Sequence, residues 1–319
     1  MSKKSSVKGL GIGGDARVGS RHPVLILCFL NAILYVFLIY MSKPKSIFIS
    51  IDMEGISGIV DWNQVGGNTG EYTYGRKLMV GDLNAAIEGA FAAGAEEVVV
   101  SDAHGGMKNL QPMEVHSDAH LIRGSPKPGA MMEGIDNHYD AALYVGYHAM
   151  KGTEKAILAH TISGRSVNGV WINGKETGEF GLNSALAGCY GVPSVFVSGD
   201  AAVAEEVKSF VPNITTAVVK WAVGRRAAKC LHPKKAHTLI KKKVTHALAN
   251  IEHVDPYKID EPLEFMLKFE SSVVGDIVAL LPYIERIDGR TVKAVFDDYP
   301  TAIKALRGAI YLGGVTARK

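Results

Sequence analysis

The sequence predicts an α/β fold: a mostly parallel sheet flanked by helices, with ligands at the carboxyl ends of its strands, plus a smaller C-terminal α+β region. Three observations predict it. From Lys45 onward, short apolar runs alternate with helical stretches. With 47% hydrophobic and 21% charged residues, the 319-residue chain can bury a sizeable core, which excludes disorder, collagen-like repeats and coiled coil. Acids and histidines directly follow several of the apolar runs, where open α/β sheets bind their ligands.

Taken in order, Ser46–Ile51 (SIFISI) is a β-branched and aromatic strand, and Arg76–Ala93 follows as a helix with Leu78, Leu83, Ala86, Ile87 and Ala90 at helical spacing. Glu97–Ser101 and Ala141–Tyr147 are buried strands; Ala156–Ala159 and Val170–Ile172 are expected as shorter ones, the latter ending in the turn Asn173-Gly174. Leu182–Tyr190 reads as a helix, Ser194–Ser198 as a strand and Ala201–Phe210 as a helix. Helices are expected over Gly224–Leu231 and Pro233–Ile251, the second opened by Pro233 in its first turn. Strands at Leu263–Glu270 and Thr291–Phe296 and a helix near Thr301–Tyr311 complete the chain. The expected organisation is a tail over 1–44, a catalytic α/β domain over 45–222 and a smaller α+β domain over 223–319.

The tail stands apart. Residues 1–44 carry Lys3, Lys4, Lys8, Arg17, Arg21 and Lys43 against Asp15 alone, so the tail outweighs the whole chain's formal charge of +3 and the body is nearly neutral and slightly acidic. With no interleaving of basic and aromatic residues in the body, a nucleic-acid partner is not expected. Val24–Met41 is an uncharged apolar run at the short end of what spans a bilayer. Two readings stand side by side. Residues 24–41 are an anchor that holds the protein in a membrane and, by the positive-inside rule, exports the body; or translation starts at Met41, the upstream residues are an extended start, and the protein is cytoplasmic. Gly9–Gly14 satisfies G-x-G-x-x-G, but no strand precedes it and no helix follows, so it reads as flexible tail.

The first strand runs into Asp52-Met53-Glu54-Gly55, the second into Asp102-Ala103-His104, the third into His148, and the fourth apolar run into His160. Of the eleven histidines, six lie between positions 104 and 160. A lone His after a strand is ordinarily a capping residue; three of them beside an Asp-x-Glu pair point to a metal site, with a structural network as the alternative. Asp52 and Glu54 converge if the chain turns at Gly55. Glu179 lies between glycines in Gly178-Glu179-Phe180-Gly181, suggesting close backbone approach, though it also suits a helix N-terminus. Asp102 reads equally as a partner orienting His104 or as a turn residue. Three scattered cysteines exclude a disulfide framework and a thiolate metal site. H-E-x-x-H, G-x-S-x-G and Walker A patterns are absent.

Four segments in register, Ser50–Gly58, Ser101–His104, Gly146–Ala149 and Gly178–Asn183, resemble the signature segments of the D-aminopeptidase DppA family of binuclear zinc exopeptidases. The resemblance runs from about Ser46 to Asp200, and more loosely to about Ala309; nothing in the family pattern corresponds to residues 1–44. It implies two zinc ions per chain held by Asp52, Glu54, His104, His148 and Glu179 with Asp52 bridging, His160 as catalytic histidine, and a decameric homo-oligomer. The substrate it implies is a short peptide with an N-terminal D-residue such as D-Ala.

The chemistry is consistent with that assignment. Three carboxylates and two imidazoles leave two divalent ions net positive, which favours ionised water near neutral pH and polarises a carbonyl. His160 would then serve as base, acid or nucleophile. Two other readings remain: a two-metal hydrolase of a non-peptide amide or ester, and a non-catalytic, membrane-anchored peptide-binding protein.

Overall fold

The computed structural model describes residues 43–316 together with Gly9 and Gly11. The candidate membrane segment at 24–41 and most of the glycine-rich stretch at 9–14 lie outside the described residues. No helix among the described residues is long and apolar enough to cross a membrane.

Sheet A has seven strands in the order β3 (His120–Ile122), β2 (Glu97–Asp102), β1 (Ser46–Ile51), β4 (Ala141–Tyr147), β7 (Ser194–Asp200), β8 (Thr215–Gly224) and β9 (Ala227–Cys230). Every neighbouring pair is parallel except β8 with β9. β1, β4 and β7 are buried along their whole length, as parallel strands covered on both faces must be. The chain leaves β1 towards β2 and β3, then returns to β4 on the other side of β1. The gap between β1 and β4 is therefore the switch point where such sheets open a crevice.

The helices are α1 (Trp62–Val65), α2 (Gly70–Ala93), α3 (Glu179–Cys189), α4 (Ala201–Glu206), α5 (Pro233–Ala249), α6 (Ser272–Val278) and α7 (Tyr299–Thr316). Asp61 caps α1 in a reciprocal capping box with Gln64, and Thr69 caps α2 through Tyr72 N–H. α2 thus begins six residues before the expected Arg76, and takes in the end of the glycine-rich stretch at 66–72. α2 packs against α5, where Gly89 admits the α5 backbone at Lys241.

Sheet B is antiparallel in the order β11 (Glu285–Arg286), β12 (Thr291–Phe296), β10 (Leu263–Phe269), β5 (Val167–Ile172) and β6 (Lys175–Glu176). The hairpin between β5 and β6 turns at Asn173 and Gly174, both at positive φ, as the Asn-Gly pair predicts. Tyr299 at the start of α7 donates its hydroxyl to the Leu182 carbonyl of α3 at 2.8 Å, tying this part to sheet A's helices. The boundary expected at residue 222 falls inside β8, sheet B draws β5 and β6 from before it, and residues 43–319 form one compact unit.

Two elements differ from expectation. Ala156–Ala159 is no strand: Lys155, Leu158 and Ile162 sit at positive φ, which no ladder tolerates. The segment is held instead by Ile157 N–H on Asp200 at 2.7 Å, Leu158 N–H on the Arg225 carbonyl at 3.1 Å, and the Arg225 guanidinium on the Ala159 carbonyl at 2.8 Å. Gly224–Leu231 is a hairpin arm, not a helix: Ala227–Cys230 pairs with β8, and that pairing overrides the helical preference of Ala227-Ala228.

Candidate metal centre

β1 ends at Ile51, and Asp52 keeps the ladder one step further by donating its N–H to the Val145 carbonyl at 2.9 Å. Gly55 then lies flat on the β4 backbone, its N–H on the Gly146 carbonyl at 2.7 Å. A side chain at Gly55 would collide with the Gly146–Tyr147 backbone, and one at Gly146 (φ +68°) with the Asp52 carbonyl. The two glycines let β1 cross the end of β4, which brings Asp52 and Glu54 to the same place. Lys220 of β8, fully buried, fixes the turn with its ammonium on the carbonyls of Glu54 (2.5 Å), Ile56 (2.9 Å) and Ile59 (2.7 Å). Burial lowers its pKa to about 8.

All six expected side chains meet at this crevice. His104 Nδ1 lies 3.1 Å from Asp52 Oδ1 and 2.9 Å from Glu54 Oε2. His148 Nε2 lies 3.4 Å from Asp52 Oδ2 and 3.5 Å from Glu179 Oε1. His160 Nε2 is 3.7 Å from Glu179 Oε1, and its ring stacks on His148 with centroids 4.2 Å apart. Glu179 opens α3 and accepts Ile162 N–H at 2.7 Å. The glycines flanking it mark close approaches, as expected: Gly178 packs against Glu206 and Gly181 against Phe210.

The tautomers follow from the outer ring nitrogens. Each faces a backbone carbonyl, which can only accept: His104 Nε2 on Val65 (2.7 Å), His148 Nδ1 on Ala149 (2.9 Å), His160 Nδ1 on Leu158 (3.0 Å). Each outer nitrogen therefore carries the proton, and the inner nitrogen turns a lone pair towards carboxylate oxygens. Lone pair against lone pair is repulsive unless something positive stands between them. Asp52 Oδ2, Glu54 Oε2 and His148 Nε2 are buried and form no hydrogen bond.

A proton on the inner nitrogen of His104 and of His148 is one such positive charge, and a metal ion can take its place. Burial opposes ionisation of Asp52, but hydrogen bonds and charge from His104 and His148 hold its carboxyl well below the ordinary range. Burial works against protonated His104 and His148, yet Glu54, Glu179 and Asp52 hold both well above the ordinary imidazole range. The cluster attracts positive charge, which fits a bound cation. Two donor groups lie close enough to hold ions, Asp52 with Glu54 and His148, and Glu179 with His148 and His160. Nitrogen and oxygen donors without thiolate suit zinc and other divalent ions.

Residues around the donors support the centre, among them Asp102, which the sequence offered as a partner orienting His104 or as a turn residue. Asp102 points away from the centre and accepts from Asn109 N–H (2.6 Å), Asn109 Nδ2 (2.8 Å) and Leu110 N–H (2.9 Å). Asn109 also donates to the His104 carbonyl at 2.8 Å, so Asp102 braces the His104 loop from behind. Trp62 packs edge-on against His160 at 5.6 Å. The crevice opens into a cavity of about 460 Å³ lined by Asp52, Glu54, His104, His160 and Glu179 and by residues of α7.

Fold and site together define an α/β protein with a buried, polynuclear-type metal centre at its switch point. The chain belongs to the D-aminopeptidase family, whose profile matches residues 46–308. A D-aminopeptidase of Bacillus subtilis (strain 168) is 38% identical over 245 residues, 77% of this chain and 89% of that protein. The solved structure of Zn-dependent D-aminopeptidase DppA from Bacillus subtilis, described as a self-compartmentalizing protease, superposes with a TM-score of 0.82 at 36% identity, covering 84% of this chain and 97% of that one.

Proposed function

We propose that the protein is a zinc-dependent aminopeptidase that removes N-terminal D-residues from short peptides. The observation that carries this is a set of three buried atoms without hydrogen-bond partners, Asp52 Oδ2, Glu54 Oε2 and His148 Nε2, on residues that offer donor atoms within 4.8 Å of one another. Asp52, Glu54, His104, His148 and Glu179 would hold two zinc ions; Asp52 lies 3.1 Å from His104 and 3.4 Å from His148. Zinc held there supplies Lewis-acid polarisation of the scissile carbonyl and acidifies water.

The remaining work falls to the chain. His160 keeps its Nδ1 proton on the Leu158 carbonyl, which leaves Nε2 free to take a proton and return it to the departing amine. Stacking on His148 and the edge of Trp62 fix the ring plane, so no rotamer search precedes transfer. Ile162 N–H orients Glu179, and although burial opposes its ionisation, the charge and hydrogen bond of His148 hold its carboxyl below the ordinary range. Homo-oligomerisation, up to a decamer, is part of the same reading and follows from the self-compartmentalizing relative; light scattering would then give about ten times the 34.2 kDa chain mass.

The test is zinc content of the purified full chain, with turnover of D-Ala-D-Ala and L-Ala-L-Ala, for wild type and Asp52→Ala. Close to two zinc ions and D-selective cleavage, both lost in the variant, are expected. A folded wild type that takes up no zinc sinks the reading.

A further inference from the structure

We propose that Arg307 binds the free α-carboxylate of the substrate, which selects peptides short enough for their C-terminus to lie inside the cavity. This rests on the aminopeptidase reading and adds the other end of the substrate to it.

α7 lays one stripe along the wall of the cavity that the metal centre also lines: Arg307, Ile310, Tyr311, Gly314 and Val315 all line it. Their spacing of three, four, seven and eight residues is one helical face. Four of the five are apolar, aromatic or small. Arg307 is the single Lys or Arg among the described residues lining the cavity.

Its guanidinium is incompletely used. Nη2 donates to the Tyr311 hydroxyl at 2.8 Å, and the group lies 4.9 Å from that ring's centroid. Nε is buried and has no hydrogen-bond partner. Among the described residues no carboxylate stands in ion-pair range of Arg307, although sixteen such pairs, most of them with an exposed partner, occur elsewhere. A buried donor without acceptor is costly to keep, and a guanidinium presents Nε and Nη as a planar fork that matches the two oxygens of a carboxylate.

Asp52, Glu54, Glu179 and Arg307 line the same cavity of about 460 Å³, so a peptide whose neutral amino end lies at the centre can carry its carboxylate to Arg307. That volume lies at the lower end of small-ligand sites, roughly 300–1,000 Å³. An extended dipeptide spans about 7 Å, so a peptide with one or two residues beyond the scissile bond is of a size with a cavity of this volume. A C-terminal amide of the same peptide keeps shape and hydrogen-bonding atoms but loses the charge.

The experiment compares D-Ala-D-Ala with D-Ala-D-Ala amide on the full-length zinc protein, in wild type, Arg307→Gln and Arg307→Lys. kcat/KM is measured, and calorimetry follows binding of the reduced-amide isosteres of both compounds. Wild type is expected to prefer the free acid by on the order of 10- to 100-fold. That preference collapses towards one in Arg307→Gln and is intermediate in Arg307→Lys, which keeps charge without the fork. A purely structural arginine would slow acid and amide alike and leave the ratio intact; that result, or a wild type indifferent to the amide, overturns the proposal. If wild type cleaves neither peptide yet binds the acid isostere selectively through Arg307, the carboxylate site stands and the peptidase reading alone falls.

Discussion

Glu206 ends α4 beside the centre without belonging to it, and its titration tests how the surrounding scaffold is tuned. Oε2 accepts Met150 N–H at 2.7 Å, just past His148, while Oε1 packs against Gly178, just before Glu179, with no hydrogen-bond partner. Burial, only partly offset by the Met150 N–H and His148, raises its pKa from 4.5 to about 7. Between those two pH values the folded protein keeps a proton that the unfolded chain has released. Stability from this group is therefore complete below about pH 4.5 and lost as pH rises through 7. The shift corresponds to about 3 kcal/mol. Glu206→Gln imitates the protonated acid at every pH, since its carbonyl still accepts from Met150. Urea unfolding of both proteins in a chelator, from pH 4.5 to 8, should give near-equal stabilities at the acid end. At pH 8 the variant should be more stable by up to about 3 kcal/mol. A difference that stays constant across the range would refute the reasoning, because an ionised Glu206 would then be as well accommodated in the fold as in water.

Two further substitutions probe the centre itself. Lys220→Met removes the donor shared by the Glu54, Ile56 and Ile59 carbonyls; equilibrium unfolding at pH 7 should show a loss of about 2–4 kcal/mol, and chelator competition a weaker hold on zinc. His160→Ala separates the proton-transfer role from a metal-ligand role, since His160 also lies close enough to Glu179 and His148 to hold an ion. Turnover should fall by at least about 100-fold while zinc per chain is retained; loss of one zinc would make His160 a ligand instead.

What the sequence revealed depended on how locally each signal was written. Asp52, Glu54, His104 and His148 each lie within three residues of the end of an expected strand, so strand, strand end and donor could be read from a few adjacent residues. Glu179 came with its own glycines, and both proved to mark close contacts. His160 was placed correctly at the site but on the wrong support: its segment is irregular, and the positive φ of Leu158 depends on Arg225 and Asp200, far away in sequence. Ala227–Cys230 failed for the same reason, because its strand exists only through pairing with β8. Lys220 did leave a trace, a lone Lys after Ala217-Val218-Val219 in a strand otherwise suited to burial. Arg307 left none. Nothing in an amphipathic helix says that one of its faces looks into a cavity whose other lining residues end at Glu179, far earlier in the chain.

The arrangement also explains why the donors are so widely spread. A local loop could bring Asp52 and Glu54 together, but their mutual repulsion would drive them apart without the crossing at Gly55 and Gly146 and the clamp of Lys220. Each histidine is likewise held by a carbonyl that exists only once its neighbourhood has folded: Val65 at the end of α1, Ala149 beyond β4, Leu158 in the strained turn. The centre thus forms only when β1, β2, β4 and α3 are in register. A cation that satisfies Asp52 Oδ2, Glu54 Oε2 and His148 Nε2 together binds the folded switch point and not its parts, so its binding free energy adds to folding free energy there. That coupling is a physical reason for building the donors into the ends of parallel strands, the most deeply buried and least mobile positions this fold offers.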